Sequence, residues 1–307
     1  MPETNMDLDQ AAGLRRMMMK NENKPSGRLA TSSWTGTKVI TVTSGKGGVG
    51  KSTVSVNLAM ALSEMGKKVL LFDADLGLAN INVLLGVVPK YNLYHVIKKN
   101  KTLKDIIIHT PAGVDIVAGA SGYSILADLP EEDRREVIKA FDSLKGYDVM
   151  IIDTGAGVGQ NVTAFTLPAD EVVVVTTPEP TSITDAYGII KSIVLLAPDK
   201  DIKLLVNRAG SAIEGKRVIE RIANISNQFL NVKVEGLGFI FDDEFVIRSV
   251  RQQKPFYLAY PKSKASGCVR VVAGRLAGTE VPLNQSAGGG LGSFFKKLFS
   301  KPVNEAE

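Results

Sequence analysis

The sequence predicts an α/β fold: a mostly parallel twisted sheet with helices on both faces, in one domain that carries a short functional segment at each end. Three observations predict it. From Lys38 to about Ala277, runs rich in Val, Ile and Leu alternate with amphipathic stretches, the pattern of parallel strands joined by crossover helices. The polar and glycine clusters fall just after the apolar runs, at the strand ends where open parallel sheets bind ligands. One such cluster, GKGGVGKS, lies between a strand pattern and a helix pattern, the setting of a phosphate-binding loop.

The elements follow in order. KVITVTS reads as a buried strand, and TVSVNLAMALSEMG as a helix that ends at Gly66. KKVLLFDAD is a second strand and VDIVAGA a short third. LPEEDRREVIKAFDSLKG is a helix with acids in its first turn and Gly146 after its end. YDVMIIDTG, DEVVVVTT, IKLLVNR and VEGLGFI are further strands, with helical patterns between them, and the crossovers are expected to be right-handed. Four regions result: a polar lead over residues 1–37, the main domain over 38–277, a glycine-rich linker over 278–290, and a short patterned segment over 291–301.

Composition narrows the function. No apolar run reaches the roughly 18 residues of a membrane-spanning helix. Met17, Met18 and Met19 are flanked by charges, with no signal-peptide core after them. Cys268 is the sole cysteine, which excludes a disulfide framework and a thiolate metal site within one chain and suits a reducing cytoplasm. A net charge of +5 and a pI near 9.1 permit contact with nucleic acid or membrane without indicating either.

Gly45, Lys46, Gly47, Gly48, Val49, Gly50, Lys51 and Ser52 fit G-x-x-x-x-G-K-[ST], with Thr53 next in the helix. Glycines let backbone N–H groups turn toward phosphate oxygens, and the helix N-terminus adds a favourable dipole. Lys51 is placed to reach the β- and γ-phosphates of ATP, and the Ser52 hydroxyl to ligate Mg²⁺. That is a P-loop NTPase signature. Lys46 is a second cation in the same loop. Two lysines so close repel unless an anion lies between them, and that anion could belong to this chain's nucleotide or to a partner's. Asp73 and Asp75 alternate at one strand's C-terminal end, on opposite faces until the chain turns. Asp153 ends another strand, where an acid can hold Mg²⁺ through water. Gly155, Gly157 and Gly159 free the loop after it to respond to a γ-phosphate. Asn207, at a later strand end, offers an amide suited to a purine edge.

KGGVGKST resembles the deviant Walker A motif of the MinD/ParA/nitrogenase-iron-protein group. That resemblance implies slow, dimer-dependent ATP hydrolysis and an ATP-dependent homodimer in which Lys46 touches the phosphates held by the other subunit. It implies that Asp75 positions the attacking water and that Asp73, Asp75 and Asp153 hold Mg²⁺ together with Ser52, with Asp73 in support of the metal site. It also sets Asp242, in GFIFDDEFV, near the adenine. The iron–sulfur branches need cysteines at the dimer face, and Cys268 is too late and solitary. DNA-segregating relatives usually carry an N-terminal helix-turn-helix or a basic surface, neither of which occurs in residues 1–37. A DNA partner is therefore not expected.

The two ends refine the reading. Leu291, Phe294, Phe295, Leu298 and Phe299 recur at helical spacing, with Lys296, Lys297 and Lys301 on or beside the other face, the pattern of an interfacial membrane helix. Docking in a groove of its own domain is the other reading, and the two suit different nucleotide states. Paired by a dimer, two such helices bind far better than one. The segment resembles the membrane-targeting tail of MinD proteins. At the other end, LDQAAGLRRMM forms a helix too short to be stable alone, so it docks or folds on a partner. Asp9, Gln10, Ala11, Leu14 and Arg15 resemble the D-Q-A-x-x-L-R signature of the FlhG (FleN, YlxH) family, MinD-like ATPases that control flagellar number and placement. That resemblance implies activation of the GTPase FlhF, with Gln10 as the activating side chain. Flagellar switch (C-ring) proteins or a flagellar transcription regulator are further partners in view, with the surroundings of Asp185 and the 210–250 surface as contact candidates. The expected location is the cytoplasm, with peripheral attachment to the inner face of the cell membrane in the ATP state. Ser52 departs from the threonine of many relatives. The competing readings are a septum-placing MinD ATPase, a DNA-segregation ATPase, and a nucleotide-gated adaptor whose hydrolysis is incidental.

Overall fold

The structure is a computed structural model of the chain, and it describes residues 37–75, 80–119, 140–141, 144 and 146–278. Among these, eight strands form one sheet: β1 (Lys38–Ser44), β2 (Val69–Ala74), β3 (Ile107–His109), β4 (Val114–Val117), β5 (Val149–Ala156), β6 (Glu171–Thr176), β7 (Ile202–Ala209) and β8 (Glu235–Phe241), in the order β3-β4-β2-β5-β1-β6-β7-β8. Every neighbouring pair is parallel except β3 with β4. The predicted α/β architecture is the one observed.

Central strands are covered on both faces, which is why they read as continuous apolar runs rather than alternating ones. Val69 and Leu71 of β2 enter one core, and Leu70 and Phe72 the other. The first core also takes α1 (Lys51–Glu64), α6 (Pro180–Leu196), α7 (Ala212–Leu230) and α10 (Lys264–Leu276), through residues such as Leu58, Ile189, Val218 and Val269. The second is closed by the short helices α3 (Leu93–Ile97) and α4 (Leu103–Ile106). Helices α2 (Ile81–Leu85), α5 (Gln160–Thr166), α8 (Glu244–Arg251) and α9 (Phe256–Ala259) complete the described set.

Helix α1 is buried without a break from Val54 to Leu62, so the helix leaving the glycine loop is a core element. It starts at Lys51, two residues before the sequence pattern suggests, and Gly66 at φ 81° stops the chain just beyond its end. Local signals set other boundaries. Ser211 accepts from the Glu214 N–H at the start of α7, and Asp243 accepts from Phe245 N–H at the start of α8. The antiparallel edge strand β3 and helices α2 to α4 were not foreseen in the sequence. The expected helix over LPEEDRREVIKAFDSLKG lies mostly outside the described residues, as do the N-terminal motif and the glycine linker with its membrane segment.

Two facts of placement matter for the sites. Strand register aligns Val42 with Asp153 across β1 and β5, and Asp73 with Asp153 across β2 and β5. At the other end of the sheet, Val114, Val69, Val149 and Lys38 are successive partners across β4, β2, β5 and β1. There the Lys38 ammonium bonds the Leu276 carbonyl at 3.0 Å, so α10 finishes beside the start of β1.

Candidate nucleotide site

The glycine loop joins β1 to α1 and holds a shape that only its sequence allows. Gly48 and Gly50 have φ of 81° and 89°, left-handed values that a side chain resists. A Cβ on Gly45 would lie 2.0 Å from the Asp185 carbonyl oxygen of α6, so the loop is pressed onto that helix. A Cβ on Gly50 would lie 2.4 Å from the Asn207 amide nitrogen. Gly47 has open space on its Cβ side. Asn207 donates to the Val49 carbonyl at 2.8 Å, so it braces the loop from β7 and lies beside the phosphate end. Asp242 follows β8 and donates its N–H to the Ala209 carbonyl at 2.9 Å, which brings it to the same strand ends.

Lys51 is 7% exposed, and its ammonium is 3.0 Å from Asp153 Oδ1 and 3.4 Å from the Ser52 hydroxyl. Asp153 is fully buried and also accepts from the Ser55 hydroxyl at 2.7 Å. Its other oxygen, Oδ2, has no hydrogen-bond partner. Buried polar atoms are nearly always satisfied, so an orphaned carboxylate oxygen beside a phosphate loop fits a site that a cation completes. Asp73 stands next to it, also fully buried. Burial pushes the Asp73 carboxyl up to about 7, and the Asp153 charge pushes the same way, against the N–H groups of Ile81 and Asp75 and the Lys51 charge. Asp73 accepts from those N–H groups at 3.2 and 3.1 Å, tying down both ends of the turn after β2. Two buried acids share one lysine, and a bound Mg²⁺ would favour the ionised form of both. Among the described residues no three His, Cys, Asp or Glu side chains converge as a cage, which suits a cation that takes one or two carboxylates and shares substrate phosphates.

Asp75 lies just past β2, with Oδ1 3.8 Å from where a Gly155 Cβ would be. It therefore faces the last residues of β5, which lead into the second strand-end loop of the site. That loop is tied back to the phosphate loop where the Gly157 N–H, at φ 97°, donates to the Ser44 carbonyl at 2.8 Å.

Lys46 takes a different acid from Lys51. Its ammonium lies 3.0 Å from Glu179 and 2.9 Å from the Thr181 hydroxyl, at the start of α6. The anion it finds within its own chain is thus a side chain, in an exposed pair that is broken at little cost. Glu179, Thr181 and Ser55 were missed in the sequence. Ser55 had a findable signal, one helical turn after Lys51 on the same face. Glu179 had none, because 133 residues separate it from Lys46.

Known proteins resemble this chain over most of its length. A family model described as an AAA domain matches residues 37–206. The antiactivator FleN of Pseudomonas aeruginosa is 42% identical, over 87% of this chain and 95% of its own. The flagellum site-determining protein YlxH of Helicobacter pylori is 37% identical, over 85% and 90%. Among solved structures, the septum site-determining protein MinD of Pyrococcus horikoshii complexed with Mg-ADP superposes with a TM-score of 0.63 at 30% identity, covering 78% of this chain and 96% of that one.

Proposed function

We propose a function from one premise: the chain belongs to the FleN/YlxH family of MinD-like ATPases. It binds ATP with Mg²⁺, hydrolyses it slowly as a homodimer, attaches reversibly to the membrane, and regulates flagellar number or placement by stimulating an FlhF-type GTPase. The observation that carries the enzymatic part is the buried Lys51–Asp153–Ser55 cluster with its orphaned carboxylate oxygen at the foot of the glycine loop.

Each residue takes a role in this reading. Amides of Gly47, Gly48, Val49 and Gly50 turn to the phosphates, and Lys51 exchanges Asp153 for phosphate oxygens. Ser52 and Asp153 hold Mg²⁺, which neutralises phosphate charge when bound, and Asp73 keeps the adjoining turn in place. Thr53 follows at the α-phosphate side. Asp75 orients the attacking water beside Gly155. Asn207 and Asp242 meet the purine, once Asn207 releases the Val49 carbonyl. Lys46 leaves Glu179 and Thr181 to reach the phosphates bound by the partner subunit. Leu291, Phe294, Phe295, Leu298 and Phe299 carry the dimer to lipid. Asp9, Gln10, Leu14 and Arg15 engage FlhF, with Gln10 acting in its active site.

The flagellar reading is tested by GTP hydrolysis of the cognate FlhF with and without a peptide of residues 1–24, with Gln10→Ala as control. Stimulation that the control loses supports it. Absence of stimulation by both peptide and full chain refutes it, and leaves a membrane-cycling ATPase whose client is a septum or DNA system.

A further inference from the structure

The end of the sheet opposite the glycine loop has a pocket that none of these roles uses. It encloses about 620 Å³ where β4, β2 and β5 begin, and Lys68, Lys104, His109, Asp115 and Tyr147 line it. Asp115 is fully engaged: His109 Nδ1 donates to one oxygen at 2.6 Å and the Tyr147 hydroxyl to the other at 2.6 Å. Lys68 and Lys104 make no ion pair among the described residues, so two cationic side chains share this cavity with one carboxylate, Asp115, whose oxygens are already taken by His109 and Tyr147. Val69 and Leu144 give it an apolar floor.

The segment that supplies Lys104 and His109 to the pocket is itself basic. Residues 87–114 hold five lysines (Lys90, Lys98, Lys99, Lys101, Lys104) against Asp105 alone, a surplus of four, whereas the whole chain has +5. The carboxylate of Asp105 is committed to the Thr102 N–H and hydroxyl, both at 2.8 Å. Lys90 and Lys101 lie over the Tyr91 ring and Lys98 over Tyr94, so those rings are covered by cations and are not stacking platforms for bases. A single-stranded nucleic acid is the poorer fit.

Location selects the ligand. Lys38 and Val69 lie in one row, two strand spacings or roughly 10 Å apart. Lys38 holds the end of α10, the last described helix before the amphipathic segment at 291–301. The pocket therefore lies at the same end of the sheet as the end of α10, and the described residues finish at Gly278, thirteen positions before Leu291. We propose that this pocket, between Lys68 and Lys104, receives the phosphate of an anionic phospholipid headgroup and gives the domain its own contact with the membrane. The proposal rests on the reading of residues 291–301 as a membrane segment. Juxtaposed lysines gain strongly from the negative leaflet surface, and a headgroup contact beside a weak helix adds avidity.

The test uses the full chain with Mg-ATP and vesicles of phosphatidylcholine with or without 30% phosphatidylglycerol, a composition of roughly the anionic content that attracts polybasic segments. Lys68→Ala/Lys104→Ala is expected to weaken binding to the anionic vesicles by about ten- to thirty-fold and to leave ATP turnover and binding to neutral vesicles unchanged. A second arm removes the tail's contribution with Phe294→Glu/Phe295→Glu and titrates soluble short-chain phosphatidylglycerol. Binding that persists there, and disappears when the two lysines are also replaced, supports the pocket independently of the tail. Loss of vesicle binding in the tail variant alone, with the lysine pair neutral in both arms, overturns the pocket while the tail reading stands. Equal binding of inorganic phosphate, or salt-sensitive duplex DNA binding lost with the same lysines, overturns the lipid assignment.

Discussion

The two ends of the sheet handle charge in opposite ways. At the glycine-loop end, Lys51, Asp153 and Asp73 are buried and face one another. At the other end, Lys68 and Lys104 are exposed and unpaired among the described residues. Buried charges are costly unless matched, so the first end is strained toward a ligand that completes the match. Exposed lysines cost little and act through the field they share. Charge deletion should therefore have large effects at one end and small effects at the other, and the predictions run down that scale.

The largest effect belongs to Lys51→Ala. It leaves Asp153 with only the Ser55 hydroxyl and removes the cation that faces the phosphates. ATP turnover is expected to fall by at least about a hundred-fold. Breaking a buried pair should also lower the unfolding free energy of the nucleotide-free protein by about 3–5 kcal/mol. Turnover assays and denaturant titration check both. An unfolding free energy unchanged by the mutation would mean that the buried cluster is slack rather than matched.

Asp73 gives the next effect, a pH dependence of the empty site. Its carboxyl is raised to about 7 from 3.8, so between those values the folded protein holds a proton that the unfolded chain has released. Stability contributed by this group is therefore fully present below about pH 4, falls as pH rises toward 7, and levels off above it. The total change is about 4 kcal/mol. Bound Mg-ATP should flatten the slope by supplying the missing positive charge. Calorimetry from pH 4.5 to 8 on the wild type and Asp73→Asn, with and without nucleotide, distinguishes this group from all others. An equal slope in Asp73→Asn would assign the titration elsewhere.

Much of this end could be read in the sequence, and the reason is local. The glycine loop, Lys51, Ser52 and Asp153 each follow from a strand ending in a turn, which a short stretch of sequence records. The alignment of Asp73 with Asp153 is a matter of register between strands some eighty residues apart, which no local pattern specifies. The contact of Lys46 with Glu179 is equally distant, and the sequence could say only that Lys46 needed an anion. Across residues 80–119 less was legible. Helices α2 to α4 have four or five residues each, too few for a helical period to show, and β3 has three. The lysines of that lobe looked like ordinary solvated surface until the fold placed Lys104 opposite Lys68.

Lys46 is intermediate, an exposed charge at the buried end. Glu179→Gln removes its resting partner but leaves the Thr181 hydroxyl. An exposed pair of this kind contributes about 0–1 kcal/mol, so the melting temperature should scarcely move. If Lys46 must leave Glu179 to cross a dimer interface, the same substitution should tighten ATP-dependent dimerisation by up to about five-fold. Lys46→Ala should abolish that dimerisation with equally little effect on folding. Sedimentation velocity with a slowly hydrolysed ATP analogue measures both, and weaker dimerisation of Glu179→Gln would instead place Glu179 in the interface.

The smallest effect is expected where the field argument is purest. Lys68→Ala/Lys104→Ala deletes as much charge as two Lys51 substitutions would, yet neither ammonium group satisfies a partner among the described residues. Surface substitutions of this type usually stay within about 0.5 kcal/mol. The change should even be slightly favourable at low salt, because residues 87–114 repel one another, and the gain should vanish at physiological ionic strength, where the screening length is about 8 Å. Denaturant midpoints at 10 and 150 mM salt test this. A loss of more than about 1 kcal/mol would show that these lysines brace the fold, and the contrast between the two ends would then be one of degree.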